Sequence, residues 1–376
     1  MIPLDKTIIT REMIDAAADS LANEPPLFGE SVSRFEEEFA RFCGTDFAVS
    51  VASGTDALIF SLMAGGLKGK RALTTPSSYV ATANSAFHAG GEPVFCDIDP
   101  ETNNISPEKI EMALAKKTNK KSAISALVPV HLHGYPADMG RIMELAERKK
   151  LFVVEDACQA HGAFWAGRRV GSIGHAGAFS FNPVKNMTVG GEAGMITTND
   201  QKLAKDVRML ADAGRESIYT HEHAIVGFSS RLNSVNAAIG RVQLRLLDGW
   251  NEKRRWAASE YRRQLKQISG SAIRLPAEES AEIVPAYNKF AIRTITEKER
   301  DSLKDFLYLR GIESDSHYPI PIHLQPPYKK MGYEKGDFPI AERFADTTLS
   351  LPMYIDITAE EITVVCDAVK EFFEKK

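Results

Sequence analysis

The stretch GAFSFNPVKNMTVGGEAGMITTND, from Gly177 to Asp200, holds two short apolar runs separated by a loop that contains one lysine, Lys185, and the glycine pair Gly190 and Gly191. Apolar runs of this length, bounded by turn residues, predict two buried strands joined by the loop. Lysine is among the residues most often found at protein surfaces, so Lys185 taken alone is better interpreted as a solvated charge. Evidence for a chemical role has to come from the rest of the chain.

Further apolar runs alternate with helical patterns on the N-terminal side of this stretch. FAVSVASG, PVFCDID, SALVPVHLHG and LFVVEDACQAHG are typical of strands, whereas TDALIFSLMAGG, PEKIEMALAKK and ADMGRIMELAERKK have helical spacing. This alternation predicts an α/β fold with a mainly parallel sheet. Ligands of such sheets bind at the carboxyl ends of the strands, so the residues that follow each apolar run are the candidates for function.

The C-terminal third of the chain predicts a second, smaller domain. A long helical pattern starts at Ser234 and becomes strongly charged in its second half, as expected for a connector. It is followed by the strand-like YNKFAIRTI, the helical ERDSLKDFLYLRGI and a last helix, TAEEITVVCDAVKEFFEKK, which Thr358 opens in a capping box with Glu361. We therefore predict a large domain over residues 1–245 and a small α+β domain over residues 246–376.

Composition excludes several classes of partner. The chain has 376 residues, 26% of them charged, with a net charge of -4 and pI ≈ 6.2, so there is no basic field for nucleic acid or for acidic membranes. It has no signal-peptide pattern and no apolar run near the ~18 residues of a membrane span, which predicts a cytoplasmic protein. The four cysteines are widely separated and form no zinc or disulfide pattern, and no metal site is expected.

Two strand ends supply small or aromatic residues that could contact a ligand. In VASGTDALIF, the residues Ser53, Gly54 and Thr55 lie between a strand and a helix, where backbone N–H groups can bind a phosphate. An ordinary N-capped helix explains this fragment at least as well. In TTPSSYVATANS, Tyr79 could cover a planar ligand or pack in the core.

The run LFVVEDACQAHG ends in two acids, Glu155 and Asp156, after what should be a buried strand. Such acids are costly to bury unless a cation meets at least one of them, and a protonated pyridine nitrogen, an arginine or a magnesium ion would serve. Magnesium is the weaker candidate because no further acids lie nearby to complete an oxygen shell. Lys185 and Ser180 follow shortly after, and a lysine beside a strand end suits Schiff-base chemistry. The phosphate turn, carboxylate, tyrosine and lysine together describe a pyridoxal phosphate pocket.

With these residues assembled, the chain resembles the DegT/DnrJ/EryC1/StrS family of sugar aminotransferases, which have the aspartate aminotransferase architecture of fold type I. The matching blocks occur in the family order: FEEEFARFCG, SGTDAL, PSSYVATANS, PVHLHGYPADM, EDACQAHGA, FSFNPVKNMTVGGEAGM, RLNSVNAAIGRVQL and HYPIPIHLQPPY. The resemblance therefore covers nearly the whole chain. It implies a homodimer with its active site at the subunit interface.

The resemblance also implies a role for each matching residue. Lys185 would form the Schiff base with pyridoxal 5'-phosphate, and Asp156 would pair with the pyridine nitrogen. The other residues expected to bind the cofactor are Gln159 at the ring hydroxyl, Ser180 with the amides of Gly54 and Thr55 at the phosphate, and Tyr79 on the ring face.

The implied reaction transfers an amino group from an amino acid, usually L-glutamate, to a nucleotide-linked keto sugar. Family members that deoxygenate sugars have histidine where this chain has Lys185, which favours the aminotransferase branch. The block HYPIPIHLQPPY, with His317, Tyr318 and His323, resembles members that aminate the sugar at C3. These three residues are the candidate contacts of the substrate, although a solvated turn histidine explains His317 about equally well. Arg231 is expected to bind the carboxylate of the amino donor, although a surface ion pair explains it almost as well.

Two departures from the family pattern concern the cofactor site. The lysine loop has one more residue than usual between Lys185 and the following glutamate, and Ala193 replaces a glycine. Ser229 stands where the family has an asparagine that reaches the phosphate of the partner subunit, so this cross-subunit contact is in doubt. Two other functions remain open: a regulatory protein without catalysis, and an enzyme of fold type I that acts on an amino acid, for which Arg293 is the strand candidate for the carboxylate.

Overall fold

The computed structural model describes residues 1–115 and 123–375. The last two residues of the predicted helix PEKIEMALAKK and the last residue of TAEEITVVCDAVKEFFEKK lie outside these ranges. The helices are α1 Arg11–Asn23, α2 Glu30–Cys43, α3 Gly54–Ala64, α4 Ala81–His88, α5 Pro107–Ala115, α6 Met139–Lys149, α7 Gln201–Ala211, α8 Ser234–Leu265, α9 Glu297–Leu309, α10 Pro326–Lys329, α11 Pro339–Thr347 and α12 Ala359–Glu374. The strands are β1 Phe47–Val51, β2 Arg71–Thr74, β3 Glu92–Phe95, β4 Ile124–Leu127, β5 Phe152–Asp156, β6 Phe164–Trp165, β7 Arg168–Arg169, β8 Ala176–Ser180, β9 Gly194–Thr198, β10 Ile273–Arg274, β11 Ile283–Val284, β12 Phe290–Thr294 and β13 Thr348–Leu351.

The largest sheet is mixed and mainly parallel, as predicted. Within the described ranges its seven strands have the order β1-β9-β8-β5-β4-β2-β3. β2, β3, β4, β5 and β8 are parallel to one another, whereas β9 runs antiparallel to both β8 and β1. Two antiparallel steps restore the original direction, so β1 runs the same way as β8. The carboxyl ends of β1, β2, β5 and β8 therefore lie at one edge of the sheet.

The long helix α8 connects the two predicted domains. It packs on α1, α2 and α12, and a side chain at Gly240 would lie 2.8 Å from the ring of Phe35 on α2. Glycine at this position therefore permits close approach of the two helices. The predicted boundary between residues 245 and 246 falls inside α8, and the division into domains stays a prediction.

The C-terminal part forms its own core, as expected for a small α+β unit. Strands β10, β12 and β13 form an antiparallel sheet that packs with α9 and α12 around buried side chains such as Tyr261 and Phe290. The predicted capping box of Thr358 and Glu361 opens α12. Among the described helices, none is both long and apolar enough to cross a membrane.

Candidate active site

A cavity of about 520 Å³ opens at the edge of the sheet where the carboxyl ends of β1, β2, β5 and β8 lie. Its volume falls within the ~300–1,000 Å³ range of small-molecule sites. All seven residues predicted to bind the cofactor line it, from Gly54 and Thr55 to Lys185, and so do His317 and Tyr318. The structure thus brings together residues that are spread over most of the chain.

The start of α3 forms one wall of the cavity. Ser53 is its N-cap residue, and the Ser53 hydroxyl accepts a hydrogen bond from the backbone N–H of Asp56 at 3.0 Å. The first N–H groups of a helix, here those of Gly54 and Thr55, have no acceptor within the helix and can bind an anion. A side chain at Gly54 would lie 2.5 Å from Cβ of Ser180, so glycine allows the helix end to abut the end of β8.

Asp156 lies in the cavity wall at the end of β5 and is largely buried. Its Oδ2 accepts a hydrogen bond from the hydroxyl of Thr82 at 2.7 Å, and its Oδ1 accepts one from the backbone N–H of Cys158 at 3.3 Å. Because Thr82 has a single hydroxyl hydrogen, the hydroxyl of Ser78, 2.8 Å away, donates to Thr82 in turn. The carboxylate is therefore held in a fixed orientation while it lines the cavity.

Glu155, the neighbour of Asp156, points into the protein and is completely buried. It accepts hydrogen bonds from the backbone N–H groups of Gly171, Ile173 and Gly174 and from Nε2 of His131 at 3.0 Å. Nδ1 of His131 accepts from a backbone N–H, so Nε2 carries the hydrogen. Burial alone would raise the pKa of Glu155, but these donors outweigh burial and hold the pKa below its ordinary value. Glu155 is thus a structural acid.

Lys185 lies on the loop after β8. Its Nζ has no hydrogen-bond or ion-pair partner within residues 1–115 and 123–375, although it lines the same cavity as Asp156. The loop itself is held by two side-chain amides: that of the buried Gln243 accepts from the backbone N–H of Thr188, and that of the partly buried Asn236 donates to the carbonyl of Val189. An unpaired amine on a well-supported loop is available for covalent chemistry.

Two tyrosines form an aromatic wall. The rings of Tyr79 and Tyr318 are 5.8 Å apart and tilted by 45°. Gln159 donates from Nε2 to the Tyr318 hydroxyl at 3.2 Å and accepts from the backbone N–H of His133 at 2.8 Å. Burial lowers the pKa of His317 to about 4, with Lys289 adding to the effect, so its imidazole is neutral at pH 7.

Two residues predicted to contact substrate lie elsewhere. Arg231 donates to Asp212 at 2.7 Å and to the hydroxyl of Ser229 at 2.7 Å, and it lines a different cavity of about 290 Å³. His323 is fully buried, with Nε2 bonded to Glu342 at 3.0 Å. Arg293, the candidate for the amino-acid alternative, donates to a backbone carbonyl and to an asparagine side chain. Within a single chain these placements give no support to the roles suggested for them, which stay predictions.

Several residues of the site carry no clear signal in the sequence. Thr82 follows Tyr79 by three positions and lies in the first turn of α4, whereas Tyr79 precedes the helix; the sequence carries no sign of the contact between Thr82 and Asp156. Asn182 and Glu192 also line the cavity and are hydrogen-bonded to each other across the lysine loop. Nothing in their immediate sequence indicates that pairing.

These residues match the chemistry of pyridoxal phosphate. The open N–H groups of α3 and the hydroxyl of Ser180 suit a phosphate, the held carboxylate of Asp156 suits a protonated ring nitrogen, and the unpaired amine of Lys185 suits an aldehyde. The aromatic wall suits a planar ring. By contrast, no group of three His, Cys, Asp or Glu side chains within the described ranges could hold a metal ion.

Comparison with known proteins also indicates an aminotransferase that uses pyridoxal phosphate. The model of the DegT/DnrJ/EryC1/StrS aminotransferase family matches residues 7–370. The chain is 38% identical to a "Pleiotropic regulatory protein" of Geobacillus stearothermophilus, over 92% of this chain and 90% of that protein. It is also 38% identical to the dTDP-3-amino-3,4,6-trideoxy-alpha-D-glucose transaminase of Streptomyces venezuelae, over 93% of this chain and 89% of that enzyme.

Solved structures of similar proteins have the same fold as this chain. The crystal structure of S. venezuelae DesV in complex with ketimine intermediate is 38% identical and superposes with a TM-score of 0.90, over 96% of this chain and 94% of DesV. NtdA of Bacillus subtilis, solved with bound cofactor PMP, is 30% identical with a TM-score of 0.88, over 97% of this chain and 83% of NtdA. The comparisons confirm the predicted family, the fold, the aminotransferase activity and the pyridoxal cofactor. The chain belongs to the DegT/DnrJ/EryC1/StrS aminotransferase family.

Proposed function

We propose that this aminotransferase moves an amino group from L-glutamate to C3 of a nucleotide-linked keto sugar. The observation that carries the proposal is the convergence of Lys185, Asp156 and the open end of α3 on one cavity. Relatives support the acceptor: one is named a dTDP-3-amino sugar transaminase and another, 35% identical over 92% of this chain, a UDP-N-acetyl-3-dehydro-alpha-D-glucosamine 3-aminotransferase from Acidithiobacillus ferrooxidans.

Each side chain has a defined task in this proposal. Pyridoxal phosphate, when bound, supplies an aldehyde that condenses with amines and a ring that accepts the electrons of a deprotonated carbon. The amides of Gly54 and Thr55, with the Ser180 hydroxyl, bind the phosphate. Asp156, oriented by Thr82, holds a proton at the ring nitrogen.

Lys185 is the amine that carries protons. With pyridoxal phosphate bound, the free Nζ would take the proton from the donor α-carbon, and in the second half of the reaction it would give a proton to the sugar carbon that receives nitrogen. Tyr79 and Tyr318 cover the reacting atoms and exclude water. Because both substrates would react at the same place beside Lys185 in one cavity, the first product would have to leave before the keto sugar enters, which predicts ping-pong kinetics.

The acceptor is tested by separating the two half-reactions. Protein loaded with pyridoxal phosphate is treated with L-glutamate, freed of small molecules and mixed with 3-keto and 4-keto sugar nucleotides. With a 3-keto sugar nucleotide, we expect the absorbance of the pyridoxal phosphate form to return. The amount of amino sugar formed should equal the amount of this form restored. Return with a 4-keto sugar alone would contradict the C3 assignment, and failure of glutamate in the first half would contradict the donor.

We also propose a homodimer, because the segment from Ile218 to Phe228 carries several exposed apolar side chains. Tyr219 and Val226 are 90% and 91% exposed, next to the partly exposed Ile218, Ile225 and Phe228. Contiguous exposed apolar groups mark interaction sites. Analytical ultracentrifugation should find a dimer for the wild type and a monomer for Val226→Arg, whereas a wild-type monomer would contradict the proposal.

The cytoplasm is the proposed location. All four cysteines, Cys43, Cys96, Cys158 and Cys366, are free thiols, as is usual in a reducing compartment. Fractionation of the native cell should place the protein in the cytoplasmic fraction, and recovery from an extracellular or periplasmic fraction would contradict this.

A regulatory role is the second candidate, because one relative is named a pleiotropic regulatory protein. The retained pair of Lys185 and Asp156 in the cavity favours catalysis, since a protein without transamination has no need of that pair. A protein that binds pyridoxal phosphate and fails with glutamate and every keto sugar nucleotide would favour the regulatory alternative.

A further inference from the structure

Three buried asparagines, Asn186, Asn251 and Asn288, form a hydrogen-bonded group next to Lys185, which we call the asparagine cluster. Nδ2 of Asn186 donates to Oδ1 of Asn251 at 3.0 Å and to the carbonyl of Ala286 at 2.7 Å. Buried amides are costly unless their hydrogen bonds are made. The cluster is therefore a rigid contact between the lysine loop, α8 and the segment that leads into β12.

Asn288 binds both residues that flank Lys185. Its Nδ2 donates to the backbone carbonyl of Val184 at 3.2 Å and to Oδ1 of Asn186 at 3.0 Å. The backbone N–H of Lys185 itself donates to the carbonyl of Asn182 at 2.9 Å. The direction of a side chain follows from its backbone, so fixing the residues on both sides fixes where the amine of Lys185 can reach.

Asn288 also connects this loop to the opposite wall of the cavity. Its backbone N–H donates to the carbonyl of His133 at 2.9 Å, and Nε2 of His133 lies 3.1 Å from the carbonyl of His317. The backbone N–H of His133 donates to Gln159, which donates to the hydroxyl of Tyr318. One residue thus lies between the loop that carries the amine and the wall that faces it.

We propose that Asn288 is a positioning residue for Lys185, which sets the distance between the reacting amine and the wall formed by His317 and Tyr318. The inference rests on the proposed function, in which Lys185 is the amine that moves protons. Asn288 does not line the cavity, so it acts through the loop and the wall. Misplacing a reacting group by about 1 Å can reduce the rate ~100-fold.

The test compares Asn288→Ala with Tyr261→Phe. The hydroxyl of Tyr261 is buried in the C-terminal core and donates to the carbonyl of Pro352 at 2.9 Å, so this control loses a buried hydrogen bond without touching the lysine loop. For Asn288→Ala we expect kcat about 100-fold lower with KM for both substrates little changed. Both variants should melt below the wild type, and Tyr261→Phe should keep its kcat.

A second readout uses the protein without cofactor. The rate at which Lys185 is acetylated by acetic anhydride, measured by peptide mapping across pH, reports the environment of its amine independently of transamination. We expect the acetylation profile of Asn288→Ala to differ from that of the wild type, and that of Tyr261→Phe to be the same. If Asn288→Ala does not fold, Asn288→Asp, which has the same shape and lacks the donor hydrogens, is measured by the same criteria.

The result that would overturn the proposal is an Asn288 variant with the wild-type kcat and acetylation profile that merely melts earlier, as the control does. Loss of folding in both Asn288 variants would also overturn it, because the residue would then be required for the fold itself. Failure of the proposed function is a different observation: wild-type protein in which Lys185 forms no bond with pyridoxal phosphate.

Discussion

Glu155 and Asp156 are adjacent in the sequence and have different tasks, because successive side chains of a strand point to opposite faces. Glu155 points inward, where four donors surround its carboxylate. Asp156 lines the cavity, where Thr82 holds one of its oxygens. The sequence predicted that a cation should meet at least one of two buried acids. The structure shows that the other is satisfied by three backbone N–H groups and the ring of His131.

Replacing Glu155 by glutamine should cost about 3 kcal/mol of unfolding free energy, because the new amide would face the N–H groups that the carboxylate now accepts. The folded-state pKa of Glu155 is lowered from 4.5, so its ionisation stabilises the fold above pH 4.5, and this contribution is lost as the pH falls through the folded-state pKa. Urea unfolding at pH 7 measures the cost.

Glu108→Gln is the matched control for that measurement. Glu108 is paired with Arg141 at the surface, where both side chains are exposed, so its replacement should change the stability little. Equal losses for the two variants would contradict the assignment of Glu155 as a structural acid.

At the scale of secondary structure, the contact between α3 and β8 shapes the predicted phosphate site. A methyl group at Gly54 would lie 2.5 Å from Cβ of Ser180 and 3.0 Å from the sulfur of Cys158, so Gly54→Ala forces the start of α3 away from β8. Loss of one hydrogen bond to a charged group is worth about 1.5–3 kcal/mol. Titration of the apoprotein should therefore show affinity for pyridoxal phosphate reduced at least ~10-fold.

Gly249→Ala provides the comparison for that titration. Gly249 lies in α8, and beyond its chain neighbours and the backbone of its own helix no atom lies within 4 Å of the position of an added methyl group. We therefore expect unchanged cofactor affinity and a gain in stability of up to ~1 kcal/mol. Wild-type affinity in Gly54→Ala would contradict a phosphate site at this helix end.

The sequence predicted the strand ends well because apolar runs and turn residues are local signals. Gly54, Asp156 and Lys185 each follow such a run, and a parallel sheet brings those ends to one edge. Sequence patterns do not predict contacts between side chains that are far apart in the chain. The bond from Thr82 to Asp156 spans 74 positions, and that from Asn288 to Asn186 spans 102, so both depend on how the elements pack.

The placement of polar residues between α9 and α10, and of those just before α8, was equally unpredictable. His323 has the same residue type as His317, yet it is buried against Phe338 and bonded to Glu342, whereas His317 lines the cavity. Residue type shows that a histidine can bind a ligand, but which way its side chain points is decided by packing. Arg231 likewise lies beside Asp212, a partner that its local sequence does not indicate.

At the scale of the whole molecule, one buried and two partly buried histidines should make stability depend on pH. Burial lowers the pKa of His133 and of His161 to about 3 and that of His317 to about 4, from an ordinary 6.5. The unfolded chain therefore takes up protons below pH 6.5 that the folded protein does not bind. Stability should fall as the pH drops from 6.5 toward 4, by about 1.4 kcal/mol per pH unit for each histidine.

Urea unfolding at pH 7.5, 6 and 5 tests this dependence, and His161→Phe is the informative variant. Neither ring nitrogen of His161 has a hydrogen-bond partner within the described ranges, and its ring packs against Phe179 and Phe181. The variant should retain its stability at pH 7.5. Between pH 6.5 and 5 its stability should fall less steeply than that of the wild type, because the unfolded variant has one histidine fewer to protonate. Stability that is constant from pH 7.5 to 5 in the wild type would contradict the account.

The central claim is that Lys185 is the amine that binds the cofactor and transfers protons. The most direct measurement is borohydride reduction of the protein loaded with pyridoxal phosphate, followed by mass spectrometry of its peptides. We predict one reduced pyridoxal phosphate group on the peptide that contains Lys185, and no such group in Lys185→Ala or after prior treatment of the wild type with L-glutamate. Attachment to another lysine, or to none, would contradict it.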